Sequence, residues 1–533
     1  MLLLFAAGCA ADRSLNVRLS GRVERPRVAA VVFFIDGLGR AAFERARAAG
    51  DLPHIERHLL SRGVVAGHAV AAVPTLTYAN SVTLLTGRFP GHHGIIANRW
   101  FDREAGRAAD YCTIATYRDV DADYVAPTIH ELLDGADTAS AQAAQRRGAT
   151  YTFDNWATSG INWFFGNYTG VDCLVAQNLE LVARRAETRG RWPVFILAYF
   201  PGVDHVGHLY GPESAQYAQA VRDVDRQIGR FCEGLIQADL YRRTNLILVS
   251  DHGVAAVERG RVLDVEGILS ANGGVPVATC DVLRQRPERI DRCDAVVASS
   301  GSRWCALYLR AGGDWGSTFF LPGAEARDPE LARWLDDPGG RLLDHPAVEV
   351  SAGRHGPEAV WVRTRRGVSL IHRERRGNER FYRYEPSPAD ALGYLEDKAM
   401  RQFVAAGAHD SRAWLERTAK AVLPDFVPQV VEMFDSPRAG DIVLFAARGW
   451  NFMEPGCRGA HGSVLAEDLL VPLVLAGPNV SPAWRIPYAR NCDVMPTVLA
   501  LLGRSDALER AGALDGIVLV PQAFGGGDGL AAP

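Results

Sequence analysis

The 533-residue chain has no CxxC pair, so nothing local frames a thiolate zinc site. It has no block of like charge either: Lys+Arg total 58 and Asp+Glu 62, for a formal net charge of −4. That balance excludes a tail for nucleic acid or an anionic membrane surface and favours a small molecule over a polymer as substrate. Beyond the first dozen residues the apolar runs are short and interrupted by Gly, Pro or charge, so no later segment reads as a membrane-spanning helix. There is no internal repeat and no low-complexity tract; 525–529 is a short, glycine-rich tail.

What is present is ordinary for a soluble globular enzyme with a substantial core: 48% hydrophobic and 23% charged residues. Residues 1–11 (MLLLFAAGCAA) are apolar and rich in small residues, too short to span a bilayer. They resemble a secretory leader, and 6–9 (AAGC) resembles a lipobox in which Cys9 would become a lipidated N-terminus. The expectation is an exported protein, periplasmic or lipid-anchored to a bacterial membrane. Without Cys9, eight cysteines remain, an even number that suits disulfides in an oxidising compartment. Eight buried free thiols are the alternative.

Residues 28–35 (VAAVVFFI) form a continuous, β-branched apolar run ending in Asp36-Gly37, the pattern of a strand buried on both faces of a parallel sheet. The pattern recurs at 194–200, 245–249 and 471–476. Helical periodicity lies between, at 213–237 and again at 494–502. Buried strands alternating with helices predict an α/β fold, a mostly parallel central sheet flanked by helices. Residues 262–435 lack the strand-then-acid pattern and read as an α+β insertion capping the catalytic domain. The predicted layout is a leader at 1–21, catalytic segments at 22–261 and 436–504, the insertion between them and a tail at 505–533.

In such a sheet chemistry sits at the carboxyl ends of the strands. Asp36, Asp204 and Asp251 each follow a strand almost immediately, and His252 adjoins Asp251. Asp204 and His208, four apart in DHVGH, can face one point from a helical turn, and His461 lies in a glycine-rich loop before the strand at 471. A single Asp or His after a strand is more often a turn former, but six together make two sites of three ligands each. Nitrogen and carboxylate donors without thiolate suit two divalent ions of the Zn²⁺ kind.

Six motifs occur in order: 31–37 (VVFFIDG), 74–80 (PTLTYAN), 86–98 (TGRFPGHHGIIAN), 204–212 (DHVGHLYGP), 250–253 (SDHG) and 461–463 (HGS). Together they resemble the alkaline phosphatase superfamily, most of all its nucleotide pyrophosphatase/phosphodiesterase branch. The resemblance covers about the first 260 residues and the last 100, not the insertion. It implies that Thr77 is the nucleophile and is phosphorylated during turnover. It also implies that Asp36, Asp251 and His252 bind the metal shared with Thr77, that Asp204, His208 and His461 bind a second, and that Asn98 contacts a phosphoryl oxygen. Tyr78 stands where diesterases of this branch place an aromatic that stacks on a nucleobase; packing on the site wall is the alternative.

Where this family often has Pro-Asn-His after the nucleophile, this chain has Ala79-Asn80-Ser81. Monoester-specific relatives carry a Lys-x-Arg pair; here Gln145 stands for the lysine and Arg147 for the arginine. Arg147 then either binds a terminal phosphate or caps a helix. No Cys/Ser-x-Pro-x-Arg stretch marks a sulfatase. The resulting expectation is a two-metal phosphoesterase acting on phosphodiester or pyrophosphate bonds of nucleotide-like molecules. An alkaline phosphomonoesterase, a phosphonoacetate-type hydrolase and a catalytically inactive binding protein are the alternatives.

Overall fold

Every one of the seven residues of strand β1 (Ala29–Ile35) is buried, as its unbroken apolar run requires. The computed structural model describes residues 13–154, 165–273, 276–310, 342–386, 389–452 and 455–521, together with 160, 162 and 315. Cys9 and 525–529 lie outside them. The sheet built on β1 continues with β2 (Gly63–Val70), β3 (Thr138–Ala141), β4 (Tyr151–Phe153), β5 (Phe195–Phe200), β6 (Thr244–Ser250), β7 (Leu470–Val471), β8 (Leu473–Ala476) and β9 (Ile486–Arg490). Its order is β7-β2-β8-β6-β1-β5-β3-β4, with β9 also on β2. The run from β6 through β4 is parallel throughout, so the predicted mostly parallel α/β sheet is present.

The run at 471–476 departs from its expected direction. It splits at Pro472, which has no N–H to donate, and β8 is antiparallel to both β6 and β2. The reversal matters for the site. The chain leading into β8 enters beside the carboxyl end of β6, where Leu473 faces Val249.

Four helices position the chemistry: α1 (Thr77–Thr86), α2 (Tyr168–Arg189), α3 (Gly202–Tyr210) and α4 (Ala215–Gln237). Helix α4 starts where Ser214 caps Tyr217 N–H and buries Val221, Val224, Ile228, Phe231 and Leu235 at helical spacing. The periodic stretch at 494–502 is the helix Val494–Leu501.

Much of the insertion is a second nine-stranded sheet, antiparallel except for the pair Val277–Thr279 and Ala295–Ser300. Strand Ile442–Ala446 lies inside it, between Trp304–Leu309 and Val348–Gly356, so the sheet reaches past residue 435. The two sheets share one core, with Val32 and Phe34 of β1 in the same cluster as Trp304, Ala306 and Val443. At the seam the buried Arg303 guanidinium donates to both carboxylate oxygens of buried Asp468, at 3.2 Å each. Cys112, Cys232, Cys280, Cys293, Cys305, Cys457 and Cys492 are free thiols, so no disulfide pairs them. Among the described residues no helix is long and apolar enough to cross a membrane.

Candidate active site

Thr77 is the first residue of α1, at the end of the helix where the macrodipole favours negative charge. The loop before it is held by Asn80, whose side chain is fully buried. Its Nδ2 donates to the carbonyls of Ala72, Pro74 and Leu76, and its Oδ1 accepts from Ala72 N–H at 2.7 Å. Asn491 Nδ2 donates to Asn80 Oδ1 and to the carbonyls of Ser250 and Asp251, tying this loop to the end of β6. Asn80, three residues after Thr77, thus works through the backbone.

Thr77 Oγ1 lies 3.2 Å from His252 Nε2. Around it two triads converge from strand ends, Asp36–Asp251–His252 and Asp204–His208–His461, with the donor atoms of each triad within 4.8 Å of one another. His252 Nε2 is 3.4 Å from Asp36 Oδ1 and 3.3 Å from Asp251 Oδ2. Asp204 stands 3.4 Å from His208 Nε2 and 3.8 Å from His461 Nε2. Rings of His252 and His461 stack with centroids 3.6 Å apart, so the two triads adjoin. His461, 209 residues after His252, joins the others from a loop that follows the pairing of 459–460 with 255–256 and bridges to Ser302.

Each imidazole is oriented from behind. His461 Nδ1 donates to Thr75 O at 2.8 Å, His252 Nδ1 lies 3.2 Å from Gly253 O, and His208 Nδ1 lies 3.6 Å from Cys457 Sγ. In each case Nε2 is left facing the carboxylates. Tyr199, on β5, donates its hydroxyl to Asp36 Oδ2 at 2.5 Å. Its register opposite Phe34 gave the sequence reading no signal that it reaches Asp36.

Asp36 Oδ1, Asp204 Oδ1 and Asp251 Oδ2 are buried without a hydrogen-bond partner. No Arg or Lys among the described residues pairs with these carboxylates. Burial and the neighbouring carboxylates push Asp36 well above the usual carboxylate range, and Asp251 is raised to about 7 by burial and Asp204. Asp204 is also buried, but the imidazoles of His208 and His461 more than offset that and hold it low. Three crowded carboxylates with orphaned oxygens and three oriented imidazoles form an oxygen–nitrogen donor set that fits two divalent cations.

Asn98 Oδ1 accepts Tyr78 N–H at 3.1 Å, which leaves its Nδ2 as the remaining donor beside the start of α1. Tyr78 is half-buried. Its hydroxyl donates to Tyr111 O at 2.8 Å and its ring packs 5.3 Å from that of Tyr111, so one part of the residue is wall. Tyr168 stacks on His205, next to Asp204, with centroids 3.7 Å apart, an aromatic pair that helical periodicity did not single out.

Arg147 is committed elsewhere. Its five N–H donors go to Glu131 Oε1 and Oε2 and to the carbonyls of Asp121, Tyr124 and Ala126, and the guanidinium lies over the Tyr124 ring at 4.0 Å. The expected phosphate contact is therefore corrected to a clasp on the 121–131 segment.

A third cluster, His92, Glu432 and Asp515, is filled by cations from the second sheet. Arg373 reaches Glu432 and Asp435 at 3.1 and 2.6 Å, and Arg380 pairs with Glu432 and Asp515. Burial disfavours charge on His92, but hydrogen bonds to Asp435, Asp515 and Glu432 prevail and raise it to about 11. The cluster is an ion-pair clamp between the segment after α1 and the second sheet.

What this sheet and these two triads define is an α/β protein with a six-residue centre of carboxylates and imidazoles. The family model for type I phosphodiesterase / nucleotide pyrophosphatase matches residues 30–311, and the chain belongs to that family. It is 29% identical over 238 residues to venom phosphodiesterase 2 of Crotalus adamanteus, covering 44% of this chain and 27% of that protein. An uncharacterized pyrophosphatase/phosphodiesterase of Schizosaccharomyces pombe is 25% identical over 215 residues, 40% of this chain and 43% of its own. The human ectonucleotide pyrophosphatase/phosphodiesterase family member 7 is 27% identical over 215 residues, 39% and 45% of the two chains. The chain thus spans under half the length of these curated relatives. Murine ectonucleotide pyrophosphatase/phosphodiesterase 5, solved as an inactive variant with AMP, shares the fold with a TM-score of 0.55. It is 17% identical, and the match covers 89% of this chain and 95% of that one.

Proposed function

We propose that the protein hydrolyses phosphodiester or pyrophosphate bonds in nucleotide-like small molecules, with Thr77 as nucleophile and two divalent cations, Zn²⁺ by donor chemistry, in its two triads. The observation that carries this reading is the pair of converging triads at Thr77, each with an orphaned carboxylate oxygen turned into it. Asp36, Asp251 and His252 would hold the cation next to Thr77, and Asp204, His208 and His461 the other. When bound, such ions lower the pKa of a hydroxyl or water and neutralise charge on phosphate.

The chain's own part is positioning. The start of α1 presents Thr77 Oγ1, which forms a bond to phosphorus as the bond to the leaving oxygen breaks. Asn98 Nδ2 donates to an equatorial oxygen, where charge develops. Water then cleaves the phosphothreonine, releasing a monophosphate and restoring the hydroxyl. Likeness to a protein solved with AMP supports a nucleotide as the retained half, with Tyr78 on the wall it faces. Export with lipidation at Cys9 is proposed on leader composition alone.

The test is a comparison of p-nitrophenyl thymidine monophosphate and bis-p-nitrophenyl phosphate with p-nitrophenyl phosphate. The diesters are expected to be preferred, because Arg147 has no donor left for a dianion. Preference for the monoester would reassign the protein as a phosphatase, and no turnover by metal-replete protein would return the phosphonate and binding-protein alternatives.

Tyr199→Phe removes the tether on Asp36 Oδ2 while keeping the ring. Loss of a hydrogen bond behind a ligand typically costs 10–100-fold in metal affinity or activity, so chelator competition should show about that weakening for one ion of two. Unchanged affinity for both ions would show that Tyr199 only packs.

A further inference from the structure

Helix α3 carries Asp204 and His208, two of the three residues of the second triad. Nothing in its own sequence caps its start. The N-cap position is Pro201, which offers no side-chain acceptor, so the first N–H groups of the helix need a partner from elsewhere. Asp172, near the start of α2, is that partner: its Oδ1 accepts Gly202 N–H at 3.0 Å. The side chain is fully buried, its Oδ2 has no hydrogen-bond partner, and among the described residues no cation pairs with it. Burial pushes its pKa well above the usual carboxylate range, against the pull of Gly202 N–H.

The approach is close. A Cβ at position 202 would lie 2.1 Å from Asp172 Oδ2 and 3.1 Å from Thr169 Cα, so only glycine lets the start of α3 reach this carboxyl. The same end of α2 makes a second hold, since Tyr168 stacks on His205. Residues 202 and 205, the two points of contact, stand on either side of Asp204. At the far end of α3, Arg458 N–H donates to His208 O at 2.9 Å. Hydrogen bonds from residue to residue stiffen a helix, so a shift at Gly202 is carried to both ligand positions.

Resting on the two-cation reading above, we propose that Asp172 is a positioning residue for the second triad. By capping α3 from α2, it fixes where Asp204 and His208 present their donor atoms. Its effect therefore belongs in the affinity of one cation and not of the other.

The experiment measures Zn²⁺ content and affinity by chelator competition for the parent, Asp172→Ala, Asp172→Asn and Gly202→Ala. His208→Ala serves as the reference that marks which ion belongs to the second triad. Asp172→Ala is expected to weaken that ion by about tenfold or more and to leave the other within about twofold. Asp172→Asn keeps an acceptor for Gly202 N–H and is expected to bind both ions within about threefold of the parent. Gly202→Ala should weaken the same ion although alanine is the better helix former, because its Cβ displaces the carboxyl. An unweakened second ion in Asp172→Ala, an equal loss at both ions, or an asparagine variant as weak as the alanine one overturns the proposal. Should Asp172→Ala fail to fold, Gly202→Ala is read by the same criteria. A parent that binds fewer than two ions brings down the two-cation reading itself, and this inference with it.

Discussion

Thr77→Ala is expected to lower kcat by about four orders of magnitude or more on every diester, the scale seen when a covalent nucleophile is removed. Among the described residues Thr77 Oγ1 is the hydroxyl placed beside His252 Nε2, at the start of α1. The six proposed ligands are untouched, and metal content should stay near two ions per chain. Mass spectrometry of acid-quenched turnover should show an added phosphate on the parent enzyme and none on Thr77→Ala. A variant with full residual activity, or a phosphate carried elsewhere, would remove Thr77 from the reaction.

Chelation should have the second-largest effect, and it should reach stability as well as rate. Asp36, Asp204 and Asp251 have orphaned buried oxygens, and removing the proposed cations would leave these carboxylates crowded together with only imidazoles beside them. Turnover should vanish, and the unfolding temperature should fall and recover on adding back Zn²⁺. An ion present at a thousand times its Kd contributes about 4 kcal/mol, so two occupied sites matter for a fold of ordinary marginal stability. An unfolding temperature indifferent to chelator would mean that the triads are satisfied without metal, contrary to the reading offered for them.

Much of the site could be read from the linear order of residues because it follows one physical rule. A strand buried on both faces is mostly apolar until it leaves the sheet, so Asp36 announces itself as the first polar residue after β1, and Asp251 follows Ser250 at the end of the apolar run of β6. Direction is another matter. The apolar run of β8 looks the same parallel or antiparallel, and only pairing with β6 shows that it runs backwards. Residues acting from behind the ligands were also silent. Tyr199 reads as one more aromatic in a buried strand and Asn491 as a turn former, since their partners lie far away in sequence. Arg147 shows the converse: its position beside Gln145 suggested a phosphate clamp, but Glu131 and three carbonyls had already taken its donors. The second sheet was visible only as an α+β insertion at 262–435, because its nine-strand order depends on long-range pairing.

The late position of His461 has a consequence for how the protein comes into being. Five of the six triad residues, and Thr77, are encoded before residue 253, while the sixth follows the strands of the second sheet. Its loop is seated on that sheet, where Arg303 N–H donates to His461 O at 3.1 Å. A chain emerging from the ribosome carries Thr77 and the first triad early, yet Gln429 and Asn491, which hold the Thr77 loop and tie it to the end of β6, come late as well. A chain cut short before these segments would hold five of the six residues and Thr77 in sequence but lack the parts that fix their places.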